Sequence, residues 1–311
     1  MLQPTEIQHA AETAPGKFNA GETIIGHVSN SGLDHPLVHL PTVMGVDLSV
    51  TKHVLMLWLV AAFLFVTVTW LVRRYIRQDA DRLVPSGAMT ALEAVVEFVR
   101  DSIALPNVGK KWVRVWTPLL LTFFLFILGA NVIGLIPIFD GLALLNHTVL
   151  HLPAESFLAR VTHGGTTATG NYNVTAALAT ITFLAIIVAG SRAHGFVKHW
   201  MNLAPHGLAW PLYFILIPIE IMGMFVRPFA LTMRLAANMT GGHIALLAIT
   251  SFVFIFAEML GPHAATGIGL VFSLPLNVAL TGLEIIVVLV QAYVFTLLTA
   301  VFMGMAVHAH H

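Results

Sequence analysis

Long apolar stretches separated by short polar clusters set the plan of this chain. Residues 54–72 carry no formal charge for 19 residues, enough for one membrane crossing at 1.5 Å per residue. Arg73, Arg74, Arg77 and Arg82 follow at once, and Pro85 then introduces a segment with a different rhythm. Between 86 and 105, Met89, Leu92, Val95, Val96, Val99 and Ile103 fall on one helical stripe, while Glu93, Glu97, Arg100 and Asp101 take the other face. That pattern predicts an amphipathic helix lying on the membrane surface or beneath a partner. The Thr90-x-x-Glu93 spacing fits a capping box. Beyond Lys110, Lys111 and Arg114, residues 115–139 form a second uncharged run of 25 residues, with Asn131 set between Gly129 and Gly134. Small residues there let helices approach closely, and the asparagine reads as packing glue. Residues 140–172 form a loop with a Gly- and Thr-rich tract, and residues 173–191 make the third run, closed by Arg192 and Lys198.

The last third of the chain does not divide so simply. Residues 206–260 and 263–308 are separated by Gly261–Pro262, a hairpin signal. If mostly helical, each is about 65–80 Å long against a hydrocarbon core of about 30 Å. Either each folds into two spans, helped by Pro211, Pro218, Pro228 and Pro275, or the two form one strongly tilted pair. The predicted organisation is an extramembrane tail at 1–50 and membrane helices at 51–200, which include the amphipathic segment 86–105 and an outer-side loop at 140–172. Residues 201–311 then make up the last segment, divided at Gly261–Pro262.

Composition narrows the class. With 57% hydrophobic and 10% charged residues, the chain reads as an all-α, polytopic integral membrane protein. Helices are favoured over a barrel because the apolar runs are continuous, not alternating segments of about 10 residues. There is no cysteine, so disulfides, thiolate metal sites and cysteine nucleophiles are excluded. No basic stretch followed by an early apolar core marks a cleaved signal peptide. Net charge is zero and gives no basis for a nucleic-acid partner. Asp34, His35 and His39, and His147 with His151, lack a complete ligand pattern, so no metal site is expected. No function is assigned to the C-terminal histidines. Residues 73–114 hold eight lysines and arginines, and Arg192 and Lys198 bring that side to ten, against Lys17, Lys52 and Arg160 on the other. The positive-inside rule therefore places the basic side in the cytoplasm or mitochondrial matrix and the N-terminal tail outside.

One stretch stands out chemically. Glu220, Arg227 and Arg234 are spaced by seven inside otherwise apolar sequence, and after Arg234 only Glu258 and Glu284 carry formal charge. On a helix the three fall within about 40° of one another, and Asn238 stays on that face. His243 turns to the opposite side. A charge at the centre of a membrane helix costs about 2.5–3.5 kcal/mol on insertion scales, and arginine does not shed its proton. Arg227, next to Pro228, can snorkel to the headgroups. Arg234 needs water, a carboxylate partner or a functional reason. Glu284 and Gln291, seven apart, share a face of the last apolar helix.

This stretch resembles subunit a of the F-type ATP synthases. The family's arginine, followed four residues later by asparagine in a small apolar run, is matched by MRLAANMTGGH at 233–243, which places them at Arg234 and Asn238. A family glutamate fourteen residues upstream matches Glu220, and LEIIVVLVQAYVF at 283–295 matches the last helix, with Gln291 as its glutamine. Many bacterial members carry Glu nine residues after the arginine and His seven before the glutamine. Here those positions are His243 and Glu284, the exchanged arrangement of mitochondrial and related bacterial versions. GANVIGLIP at 129–137 matches the second span. The likeness covers most of residues 50–308.

The resemblance implies that 201–311 is a proton-channel helical hairpin, tilted and curved around a rotor ring of c subunits, with Arg234 essential. It also implies a path through Glu220, Asn238, His243, Glu284 and Gln291, as two half-channels meeting at the arginine from opposite sides. Imidazole and carboxyl can exchange a proton near physiological pH, and a passing rotor carboxylate would be held ionised beside Arg234. Implied partners are the c ring, the peripheral-stalk b subunits, other ATP synthase subunits and the bilayer. No cofactor and no catalytic activity of the chain alone are implied, since it has no nucleotide-binding loop. The implied location is the bacterial inner membrane, with the mitochondrial inner membrane as the alternative. The rival readings are an autonomous ion-coupled transporter, against which the absence of an internal repeat counts, and a structural membrane anchor.

Overall fold

A computed structural model describes residues 19–28, 41, 49–77, 87–136, 146, 148, 151, 168–201 and 210–308. Most of the N-terminal tail, Asp34, His35, His39, His147, most of the loop at 140–172 and the last three residues lie outside them. In chain order the helices are α1 (Ala20–Val28), α2 (Lys52–Ile76), α3 (Ala88–Glu97), α4 (Leu105–Leu135), α5 (Tyr172–His194), α6 (Phe196–Met201), α7 (Trp210–Leu260), α8 (Pro262–Ile268) and α9 (Leu274–Val307). Wider π-helical segments, Phe98–Ala104 and Gly269–Ser273, join α3 to α4 and α8 to α9. Every regular element among the described residues is a helix. Five stretches are long and apolar enough to cross a membrane: Lys52–Ile76, Ala88–Leu135, Tyr172–His194, Pro211–Leu260 and Ala265–Val307. The chain is an all-α, multi-pass membrane protein.

The question left open by the prolines is resolved by α7, which runs unbroken for 51 residues with Pro218 and Pro228 inside it. Each proline removes one backbone hydrogen bond, to the carbonyl four residues before it, and the helix continues past both. Residues 262–307 are likewise helical throughout. Neither segment folds into two spans.

The chain divides into two compact units, one of Met1–Ser29 with Thr240–Glu284, the other of Asn30–Met239 with Ile285–His311. In the larger, the amphipathic stripe faces inward: Val99, Ile103, Ala104 and Val108 are fully buried, whereas Glu93, Glu97, Arg100 and Asp101 are exposed. The expected capping box does not form. Gly87, at φ 65°, occupies the N-cap, so α3 starts earlier and Thr90 lies within it. Gly109 breaks the helical path at φ 77°, a conformation open chiefly to glycine, and separates this surface-type helix from the apolar span that follows.

Lipid tails are as apolar as leucine, so apolar burial gives little drive for helices to associate in a bilayer; close packing and interhelical hydrogen bonds supply it. Both are present in the larger unit. Gly304 lies against the backbone carbonyl of Asn107, where a Cβ would collide. Thr182 and Thr299 hydroxyls meet at 3.4 Å, and Phe123 packs edge-on against Phe295 at 5.6 Å. Buried Asn131 accepts from the Thr169 hydroxyl at 2.6 Å, tying α4 to the short turn Ala168–Gly170. On α2 only the first half is held inward, by Met56 and Val60.

The smaller unit is a helical hairpin. Gly261, at φ 87°, turns the chain, and Pro262 opens α8 as its first residue. The start of α9 then runs antiparallel to the end of α7, close enough for the Asn277 amide to donate to the Thr250 hydroxyl at 2.9 Å.

Candidate functional site

The smaller unit brings His243 and Glu284 together. Nδ1 of His243 lies 3.6 Å from Oε1 of Glu284, an ion-pair separation slightly longer than an ordinary N–H···O bond. Glu284 is 5% exposed, and neither carboxyl oxygen has a hydrogen-bond partner among the described residues. The carboxyl reaches this position because residue 242 is glycine: a Cβ there would collide with it. Buried carboxyls are expensive in membrane interiors and characteristically handle ions or protons.

A second polar rung follows in the same hairpin. Asn277 is seven residues before Glu284 and Thr250 seven after His243, so each sits about two turns along the same seam. The Asn277 amide donates to Thr250, while its carbonyl oxygen is buried without a hydrogen-bond partner among the described residues. Neither residue stood out in the sequence. The matching sevenfold spacings were the available signal.

In the larger unit, Leu231, Leu235, Ala236 and Met239 form the buried side of α7. Arg234 and Asn238 lie on its exposed side, flanked by Ala230, Met233 and Ala237. Arg234 has no ion pair or hydrogen bond among the described residues. Arg227 differs: it pairs with Glu220 at 3.2 Å and lies over the Phe302 ring at 5.6 Å. The row of three charges expected from the spacing therefore separates into a bonded pair and a single outward cation. Pairing across seven residues relies on the reach of both side chains, which periodicity does not report. Gln291 is buried at 5% exposure on α9. No group of three His, Cys, Asp or Glu among the described residues is placed to hold a metal ion.

These features define a class, an α-helical membrane protein with ionisable side chains set within its crossing helices. The particular family follows from comparison with known proteins. The family model described as ATP synthase A chain matches residues 54–304. "ATP synthase subunit a 2" of Chlorobium luteolum is 38% identical over 308 residues, covering 97% of this chain and 80% of that protein. Its namesake in Prosthecochloris aestuarii is 37% identical, covering 97% and 85%. "ATP synthase subunit a" of Myxococcus xanthus is 40% identical over 266 residues, covering 85% and 75%. The chain belongs to the ATP synthase A chain family.

Proposed function

We propose that this chain is the proton-conducting stator subunit of a rotary ATP synthase in a bacterial inner membrane, with Arg234 dividing its two half-channels. Membership of the family makes it a membrane subunit of that complex and not its nucleotide-processing part. The observation that carries the reading is Arg234: a permanent cation on the exposed side of an apolar helix, with no carboxylate partner among the described residues. Such a charge is costly in hydrocarbon, and a counter-charge supplied by another chain would offset that cost. A carboxylate on a rotor c subunit meets that need. At about 4 Å and an effective dielectric near 20, the attraction is about 4 kcal/mol, enough to hold the rotor group ionised while it passes.

Small flanking residues suit this encounter. Ala230 and Ala237 beside Arg234 and Asn238 let a partner helix come close. On one side of the arginine, protons pass by way of His243 and Glu284, with Thr250 and Asn277 extending the seam. On the other, Glu220 serves the second half-channel, with Arg227 holding its carboxylate in place. Asn238 and Gln291 supply neutral hydrogen-bonding groups. The hairpin lies tilted in the membrane along the ring. Movement of one charge through the full potential supplies about 2.3 kcal/mol per 100 mV, which rotation passes to the catalytic subunits; stalk b subunits resist the torque.

The test is replacement of Arg234 in the assembled complex. Arg234→Ala should abolish proton-driven ATP synthesis, and Arg234→Lys should also fail, because an ammonium is a point charge able to deprotonate. Normal coupled synthesis in the assembled alanine variant would sink the reading.

A further inference from the structure

At the arginine-bearing end of α2 lies a surface groove apart from the residues of the proposed proton path. It is an open groove of about 570 Å³ along one face of α2, lined by Phe65, Val66, Thr69 and Trp70 toward the apolar end and by Arg73, Arg74 and Arg77 at the basic end. A second space of about 250 Å³ shares Trp70 and Arg74 and extends to Gly87 and Met89. The three arginines are exposed, and none has an ion pair among the described residues. The Arg74 guanidinium stacks over the Trp70 ring at 5.3 Å.

We propose that this site binds an anionic glycerophospholipid, its phosphodiester held by Arg73, Arg74 and Arg77 and its acyl chain laid along Trp70, Val66 and Phe65. Charge selects the headgroup: an arginine fork matches phosphate oxygens in a bidentate manner, and three forks at a span end, none in an ion pair among the described residues, form a basic site of the kind that holds acidic headgroups. Shape selects a lipid over a free anion. From Phe65 to Arg77 the helix rises about 18 Å, close to the roughly 15 Å of one leaflet's hydrocarbon, with cations at one end and apolar groups at the other. An inorganic phosphate would use only the cationic end.

The surroundings favour lipid over protein. Phe65 is 72% exposed and Val66 63%, and the apolar core of α2 is only 11% buried within the chain. A face so open at hydrocarbon depth meets acyl chains by default. Trp70 adds an interfacial anchor, and its ring, beneath the planar Arg74 guanidinium, orients that fork.

The test is photolabelling of the intact ATP synthase complex in phosphatidylcholine bilayers, with trace photoactivatable phosphatidylglycerol or phosphatidylcholine, read as labelled peptides by mass spectrometry. The phosphatidylglycerol probe should label the 65–77 stretch several-fold more than the phosphatidylcholine probe, and excess inorganic phosphate should not displace it. Each of Arg73→Gln, Arg74→Gln and Arg77→Gln should lower that labelling about fivefold, and Trp70→Ala should lower it too. Equal labelling by both probes would overturn the proposal. So would displacement by inorganic phosphate, which indicates a free-anion site, or crosslinking of Phe65 to a stalk subunit in place of lipid. The probe comparison and the competition need only the unaltered complex, so a variant that fails to assemble does not shelter the proposal.

Discussion

Replacing His243 and Glu284 singly, together and in exchange tests whether they act as one unit. At 3.6 Å, an imidazolium and a carboxylate attract by about 4–5 kcal/mol at an effective dielectric near 20. Desolvation of the buried carboxyl offsets much of that, leaving a coupling of about 1–3 kcal/mol, in the range found for contacting pairs. In rate this is about 5- to 150-fold of non-additivity. His243→Ala and Glu284→Ala should each slow ATP-driven proton uptake into inverted vesicles and ATP synthesis under an imposed gradient. The double variant should be little worse than the slower single one, and His243→Glu with Glu284→His should recover part of the loss. Gly242→Ala removes no titratable group, yet its methyl would take the carboxyl's place, so it should mimic Glu284→Ala in direction. The amount of assembled complex must stay normal throughout. Strictly additive losses in log rate, with no recovery on exchange, would show two independent groups and refute the relay.

The Glu220–Arg227 pair makes a second expectation: Arg227→Ala should lower assembled complex several-fold by stranding Glu220, while Glu220→Gln with Arg227→Gln should sit nearer the unaltered level. A double variant worse than either single one would contradict the pairing. Asn277→Leu should slow proton uptake about 2- to 10-fold, the worth of one neutral hydrogen bond; unchanged uptake would remove the Thr250–Asn277 rung from the path. His199, buried against Gly190 with no hydrogen-bond partner at Nε2 among the described residues, has its pKa lowered below 6.5 by burial and by neighbouring His194. Its neutral form is the one the fold accommodates. The stability it contributes is full above the unfolded value and is lost as pH falls from about 6.5 toward the depressed folded value. Amide protection in α6, taken relative to the intrinsic exchange rate at each pH, should therefore fall between pH 7.5 and about 5.5, and His199→Phe should flatten that dependence; equal pH sensitivity in both would place its origin elsewhere.

Much of this architecture was legible in the chain itself. The apolar runs at 54–72 and 173–191 lie within α2 and α5 because a bilayer admits few alternatives to a continuous helix. The stripe from Met89 to Ile103 identified its inward face because helical period and burial coincide there. Capping by Thr90 was misread, since Gly87 with positive φ set the helix start and local polar spacing does not encode that. Proline counts could not decide whether α7 breaks, because each proline removes one backbone hydrogen bond, and a long helix can absorb that loss without ending. The Arg227–Glu220 bond and the Asn277–Thr250 rung depend on rotamer reach and on the register set at Gly261. That register is implicit in the sequence: an antiparallel pair that joins His243 to Glu284 also joins Thr250 to Asn277. The Gly190–His199 contact depends on how α6 folds back on α5, and no periodic signal marks it.

Whether Arg234 faces a rotor carboxylate is measured most directly by disulfide crosslinking from its own face of α7. The chain contains no cysteine, so Ala237→Cys on the exposed side supplies a single reporter next to Arg234. With cysteines scanned along the ring helix of the assembled complex, the crosslink should peak within one turn of the rotor carboxylate, and forming it should stop ATP-driven proton uptake until reduction. Crosslinks only to a static subunit, or a peak more than two turns from the carboxylate, would contradict the placement of Arg234 at the rotor.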